Sequence, residues 1–236
     1  KAMIFAAGLG TRLKPFTEHH PKALAVVNGK TLLERNINYL KSFGITEIVI
    51  NVHHFADQIM AFLAENQNFG IDIKISDETA EVLETGGGLV KAKAYFSTDF
   101  VVMNVDILTD LNLADFIKAH QENNALVSLA VSDRTSSRKL FFNDKNELKG
   151  WRNLKTDEEI KAVDSLDNLN ELAFSGIHII SPTLFEKITE QGKFSIMKVY
   201  MELMKNEIIS GFDHSGGILI DVGRPESVIE AEEYFK

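Results

Sequence analysis

The sequence predicts an α/β fold built on a mostly parallel sheet, and three observations lead there. Through the first half, short apolar runs alternate with stretches whose apolar residues recur at helical spacing. The runs are apolar without alternation, as strands covered on both faces require. The first run ends directly in a glycine turn, the place where open parallel sheets bind ligands.

Taken in order, residues 2–7 (AMIFAA) read as a buried strand. Thr31 is placed to cap a helix over 32–42, with Glu34 as its acidic partner. Leu32, Leu33, Ile37 and Leu40 give that helix one apolar side, and Gly44 ends it. Residues 47–52 (EIVINV) form the next strand, and 55–66 a helix striped by Phe55, Ile59, Phe62 and Leu63. Residues 71–76 alternate as a strand does, and Gly86-Gly87-Gly88 leads into a short helix ending near Tyr95. FVVMNV at 100–105 is a strand closed by Asp106, followed by a helix over 112–122 and a strand at 125–131. Such alternation implies right-handed crossovers.

The second half is less regular. Residues 138–152 read as a hairpin turning at Asn143–Asn146, and 153–171 as a polar surface excursion. A strand at 172–180, helices at 182–190 and 195–206, and short strands at 208–213 and 218–222 follow. A final helix over 225–235 opens at Pro225.

The 236 residues are 44% hydrophobic, which suits one packed domain over 1–236. A net charge of -9 argues against a nucleic-acid partner. With no cysteine, disulfides, thiol catalysis and cysteine-ligated metals are excluded. The opening apolar run is short for a signal peptide, and no run reaches the ~18 residues of a membrane span. A cytoplasmic protein without a membrane partner, a monomer or small homo-oligomer, is expected.

The segment Ala6-Ala7-Gly8-Leu9-Gly10-Thr11-Arg12, with Pro21-Lys22, puts flexible backbone, a guanidinium and an ammonium into one connection. Glycines admit phosphate oxygens to backbone amides, arginine grips two oxygens at once, and lysine supplies a point charge. The spacing is neither GxGxxG, which needs glycine at Leu13, nor GxxxxGK[ST], so dinucleotide oxidoreductases and Walker ATPases are disfavoured. Asp106 and Asp221 each end an apolar strand and form a plausible divalent-cation pair. Leu83-Glu84-Thr85-Gly86-Gly87-Gly88 leaves room for a flat ring beside polar edges. Asp110 reads as a helix cap, Asp77 and Glu78 as strand-end surface charges, and Trp151 as part of a hydrophobic patch. His19-His20 read as loop residues and His53-His54 as groups at a pocket rim.

These motifs together resemble the sugar-phosphate nucleotidyltransferase family. The resemblance is carried by AAGLGTRLKPFTEHHPKAL at 6–24, LETGGGL at 83–89, NVD at 104–106, FSGIHIISP at 174–182 and IDVGRPE at 220–226. It implies a Rossmann-like three-layer sandwich with a mixed, mostly parallel central sheet and a small sugar-binding subdomain. Residues 1–110 would mainly bind nucleotide and 111–236 mainly sugar phosphate. It also implies Mg²⁺-dependent transfer of a nucleotidyl group from an NTP to a sugar 1-phosphate, releasing pyrophosphate.

Carried over by position, Ala7, Gly8, Gly10, Thr11 and Arg12 match the triphosphate loop and Lys22 the lysine that neutralises reacting phosphates. Glu84, Thr85 and Gly86 match the base and ribose side, and Asp106 and Asp221 the metal ligands. Asn104, Glu171 and Gly176 fall on the sugar side. Val105 and Arg224 depart from the Asn-Gly-Asp and Gly-Thr-Pro patterns, and no aromatic precedes the final Asp motif. The resemblance, through LETGGGL, favours UTP with N-acetylmuramate 1-phosphate or a related hexose 1-phosphate. A GTP-dependent mannose or heptose 1-phosphate guanylyltransferase and a non-catalytic nucleotide-sugar sensor remain as alternatives.

Overall fold

The computed structural model describes residues 1–236. The amino-terminal half contains β1 (Ala2–Phe5), β2 (Val26–Val27), β3 (Lys30–Thr31), α1 (Leu32–Ser42), β4 (Glu47–Val52), α2 (Ala56–Glu65) and β5 (Asp72–Asp77). It continues through α3 (Glu84–Lys91), β6 (Phe100–Asn104), β7 (Ile107–Thr109) and α4 (Leu113–Asn123). The remainder holds β8 (Val127–Ser132), β9 (Arg138–Phe142), β10 (Leu148–Asn153), β11 (Glu158–Lys161) and β12 (Asn170–Ile180). It ends with α5 (Ile196–Leu203), β13 (Ile209–Asp213), β14 (Leu219–Asp221) and α6 (Pro225–Tyr234).

The main sheet has ten strands in the order β11-β10-β9-β12-β6-β1-β4-β5, with β8 pairing β12 and β13 beside this path. Strands β6, β1, β4 and β5 are mutually parallel, as the alternating sequence requires. Antiparallel pairing begins where β12 joins β6 and continues through β9, β10 and β11. The result is a mixed α/β sheet, parallel from β6 through β5 and between β8 and β13, and antiparallel elsewhere.

Side-chain alternation along the central strands builds a core on each face. Ala2, Ile4, Ile48, Ile50, Val101 and Met103 pack against Ile37 of α1, Ile59 of α2 and Phe116 of α4. Met3, Phe5, Val49 and Val102 face the other way, against Leu89 of α3 and Val199 and Tyr200 of α5. These two cores make the three layers, and together they remove most of the apolar side-chain surface from water. A third, smaller cluster joins Leu13 and Ala25 of the first loop to Leu108 of β7, Ile220 of β14 and Ala231 of α6.

Several local expectations hold closely. Thr31 caps α1, accepting from the Glu34 amide at 3.0 Å, and Gly44 takes a left-handed backbone (φ 80°) just beyond the helix. The turn after β9 is held by the Asn143 side chain, which accepts from the amides of Lys145 and Glu147. Trp151 packs half-buried against the α5-side core, as a patch residue would.

Other expectations need correction. The glycines lie inside α3, not before it. Residues 182–190 form only a short 3-10 turn, Pro182–Glu186. The polar stretch 153–171 carries β11 and the buried Leu166. Asn112, not Asp110, caps α4, because its side chain reaches the amides of Ala114 and Asp115. Asp110 instead accepts from the Ile218 amide at 2.8 Å.

Candidate active site

A cleft of about 440 Å³ opens at the carboxyl ends of β1, β4, β5 and β6, the position general to open parallel sheets. One wall is the first loop, which contributes Ala7, Gly8, Gly10, Thr11 and Arg12. The amides of Ala7, Gly8, Leu9 and Gly10 bond to no other group of the chain. Four consecutive free donors form a ready cradle for anionic oxygens. Gly10 has φ 62°, and a Cβ there would lie 2.9 Å from both the Lys22 and Thr17 side chains. Glycine therefore lets the loop fold back on itself, and the Thr17 hydroxyl closes it by donating to the Gly10 carbonyl at 2.9 Å.

That closure delivers Lys22 to the floor of the cleft. Lys22 is only 8% exposed and forms an ion pair with Asp106, at the end of β6. Asp106 is fixed through its neighbours. The Val105 amide donates to the Phe5 carbonyl at 3.1 Å, and the Val105 carbonyl accepts from buried Asn36 at 2.8 Å. Val105 itself joins the helix-side core while touching the cleft wall, so its extra bulk is largely absorbed inside the protein.

Asp221 reaches the same corner through the β7–β14 ribbon, in which it pairs with Ile107. The Val222 amide donates to the Asp106 carbonyl at 2.8 Å, so the two aspartates sit on directly bonded backbone segments. The Asp221 Oδ2 atom stands 3.9 Å from an Arg12 terminal nitrogen. Its Oδ1 is buried and has no hydrogen-bond partner. An orphaned carboxylate oxygen is costly unless a ligand completes it. Two neighbouring carboxylates, one with an unfilled oxygen, fit Mg²⁺, which takes few protein ligands and keeps water and substrate oxygens elsewhere. No cluster of three or more His, Asp and Glu side chains occurs in the chain, so this pair carries the fit alone.

On the opposite wall are Glu84 and Thr85, with Val82 and Ser195 beside them. Glu84 adopts φ 57°, an unusual backbone for a residue with a side chain, and its carboxylate is 3.8 Å from Lys193. Thr85 accepts from the Ile196 amide at 3.0 Å and so ties α3 to α5. Gly86 does not line the cleft. Its amide donates to the Phe194 carbonyl, and a Cβ there would overlap the Phe194 ring. A Cβ on Gly87 would overlap the Gly192 carbonyl, and one on Gly88 would lie 2.5 Å from Glu78 Oε1. The space the three glycines leave is filled by the protein itself rather than held open for a ring.

Of the sugar-side residues, Asn104 lines the cleft and Gly176 packs against it, since a Cβ on Gly176 would lie 3.0 Å from the Asn104 amide. Gly176 has φ 79° and sits in the irregular stretch of β12 between Phe174 and His178. Glu171 stands apart from the cleft, paired with Lys139 at 3.3 Å. His20 bonds Gln58 rather than the cleft, and His53 meets the Glu78 carbonyl at 2.6 Å.

Four cleft residues escape the sequence reading as site residues, Asn51, Glu78, Val82 and Ser195. Glu78, expected on the surface, is 1% exposed, because Asn51 and the Leu83 amide donate to its carboxylate. A polar residue closing the apolar run EIVIN is the one available signal for Asn51.

A parallel sheet with an amide cradle, two cations and two carboxylates at one strand edge defines a nucleotide- and phosphate-handling α/β enzyme. The chain belongs to the nucleotidyl transferase family, whose model matches residues 1–140. Over 233 residues it is 34% identical to an N-acetylmuramate alpha-1-phosphate uridylyltransferase of Neisseria meningitidis serogroup B, covering 98% of this chain and 96% of that protein. It is 28% identical to a mannose-1-phosphate guanyltransferase of Gibberella zeae, covering 97% of this chain and 62% of that one. The fold superposes on the crystal structure of HddC from Yersinia pseudotuberculosis with a TM-score of 0.80 at 24% identity, covering 100% and 99% of the two chains. The protein is thus a nucleotidyltransferase, and the reaction of its family joins an NTP and a sugar 1-phosphate to give a nucleotide sugar and pyrophosphate. No helix is long and apolar enough to cross a membrane.

Proposed function

We propose that this enzyme transfers the uridylyl group of UTP to N-acetylmuramate 1-phosphate or a closely related hexose 1-phosphate, in the cytoplasm. The observation that carries the catalytic reading is the meeting of the free amides of Ala7, Gly8 and Gly10 with Arg12, Lys22 and Asp106 in the cleft, with Asp221 beside Arg12. The choice of substrates is supported by near-complete coverage of uridylyltransferase relatives from two organisms, at 34% and 32% identity.

The sugar phosphate is already an anion, so the chain need not supply a base or a covalent nucleophile. One of its oxygens forms a bond to the α-phosphorus as the bond to the bridging oxygen of pyrophosphate breaks in line. Catalysis is then positioning and charge neutralisation. The loop amides and Arg12 hold the β,γ end and stabilise the departing pyrophosphate. Lys22, desolvated and held by Asp106, offsets charge at the α-phosphate and the incoming oxygen. Asp106 and Asp221 would hold Mg²⁺, which when bound would supply positive charge to the reacting phosphates. Glu84 and Thr85 border the nucleoside, and Asn104, backed by Gly176, borders the sugar. In this reading the nucleotide rests mainly on residues 1–110, and the sugar phosphate on 111–236 together with Asn104.

A second reading, GTP with a mannose-type 1-phosphate, is favoured by the guanyltransferase relative. Purified protein with Mg²⁺ should be assayed against the four NTPs crossed with N-acetylmuramate, N-acetylglucosamine, glucose and mannose 1-phosphates, reading released pyrophosphate. UTP with N-acetylmuramate 1-phosphate is expected to turn over fastest. A GTP–mannose preference would replace the substrate assignment. Tight nucleotide binding without pyrophosphate release from any pair would make the protein a sensor and end the enzymatic reading.

A further inference from the structure

Glu78 is the least expected charge in the molecule. Its carboxylate is buried and has no cation within ion-pair distance. It is held by neutral donors only: Asn51 Nδ2 donates to Oε1 at 2.7 Å, and the Leu83 amide donates to Oε2 at 3.3 Å. A carboxylate kept this way is expensive unless the network it belongs to has a task. The other end of Asn51 shows where that network leads. Its Oδ1 accepts from the Ala6 amide at 2.7 Å.

The bonds therefore run in one line, Ala6 to Asn51 to Glu78 to Leu83, across the carboxyl ends of β1, β4 and β5. Ala6 is the residue just before the four free amides, and Leu83 the residue just before Glu84 and Thr85. We propose that Asn51 and Glu78 are positioning residues: a strut that fixes the distance between the phosphate cradle and the nucleoside-side wall, so that a bound NTP presents its α-phosphorus in register. Gly88 belongs to the same device. Any side chain there would push into Glu78 Oε1 and Asn51 Nδ2. The proposal rests on the nucleotide spanning both walls, as the functional reading has it.

The polarity of the strut can be reversed without changing its shape or the net charge. In Glu78→Gln, one pair of donors must face each other, either at Asn51 or at the Leu83 amide. In Asn51→Asp, two carboxylates meet at hydrogen-bond distance and need a shared proton. The double variant combines Asn51→Asp with Glu78→Gln. There the new carboxylate at position 51 accepts from both the Ala6 amide and the new side-chain amide at position 78. The oxygen of that side-chain amide in turn accepts from Leu83. Every bond is restored with the charge moved to the other member.

Four proteins, the wild type, both single variants and the double, are compared by melting temperature and by pyrophosphate-release kinetics with each substrate varied. Each single variant is expected to lose about tenfold or more in kcat/KM for the NTP, with the sugar 1-phosphate KM within about twofold, and the double to return within about threefold of wild type. Asn51→Asp should recover as pH is lowered and the shared proton is supplied. Single variants with wild-type NTP kinetics overturn the strut. So does a double variant that regains wild-type melting but not its NTP kinetics, since Glu78 would then act on the nucleoside directly. Wild-type turnover is the control for the functional reading. If it is absent, the same comparison is made on the dissociation constant of UTP measured by calorimetry, with the same pattern expected.

Discussion

Gly223 is the tightest point beside Asp221 and Arg12, and Gly223→Ala tests the proposed metal role of Asp221 with a single methyl group. A Cβ there would lie 2.7 Å from Asp221 Oδ1 and 2.8 Å from an Arg12 terminal nitrogen. Non-bonded heavy atoms settle near ~3.5 Å, so each neighbour would have to retreat by roughly 0.7–0.8 Å. Arg12 can do so cheaply, being the half-exposed end of a long side chain. Asp221 cannot, because its side chain is short and Oδ1 is buried. A misplacement of ~1 Å near reacting atoms can cost about 100-fold, so kcat is expected to fall by roughly 10–50-fold. The Mg²⁺ concentration for half-maximal rate should rise in parallel. The backbone at Gly223 is not left-handed, so alanine is conformationally acceptable and the melting temperature should stay within about 3 °C of wild type. Pyrophosphate release at saturating NTP across a Mg²⁺ titration reads both quantities. Unchanged kcat with an unchanged Mg²⁺ requirement would refute the placement of Asp221 in the metal site.

Lys22→Ala and Asp106→Asn should each lower kcat by about 100-fold or more, the cost of losing one directed charge, with far-UV circular dichroism confirming a folded chain. Gly86→Ala drives a methyl into the Phe194 ring; at about 1–3 kcal/mol for overpacking it should lower the melting temperature by roughly 2–12 °C, read by calorimetry. Burial holds the His178 imidazole down to about 3, and it lowers His120 and His214 in the same direction. The unfolded chain therefore binds more protons than the folded one below the ordinary histidine range, and stability falls as pH drops from about 6.5 toward 3. His178 alone removes about 2 kcal/mol by pH 5, and His178→Asn should flatten the acid side of a melting-temperature profile.

Much of this structure is legible before any coordinates. Helix α1 is bounded by the residues whose chemistry bounds helices, Thr31 and Gly44, and β4 spans the apolar run EIVINV itself. Gly8, Gly10, Arg12, Lys22 and Asp106 announce themselves because phosphate handling needs those side-chain types within reach of one strand edge. What escapes depends on contacts between distant segments. Strand β7 is three residues long, too short to show a period, and it exists only because it pairs with β14. Glu78 reads as surface charge until Asn51 and the Leu83 amide are brought to it. The glycine run suggests an open platform, since nothing local reveals that residues 192–194 lie across it. Glu171 matches a sequence pattern, but its distance along β12 puts it beside Lys139 instead of the cleft.

The ribbon of β7 and β14 also sets an order of events in the life of the molecule. Among the strands, β14 is the last to leave the ribosome, and Asp221 travels with it. The small core ties Ile220 of this strand and Ala231 behind it to Leu13 and Ala25 of the first loop, so without its last segments the chain has half its acidic pair and loses packing under the amide cradle as well. The corner is therefore complete only once the two ends of the chain have met.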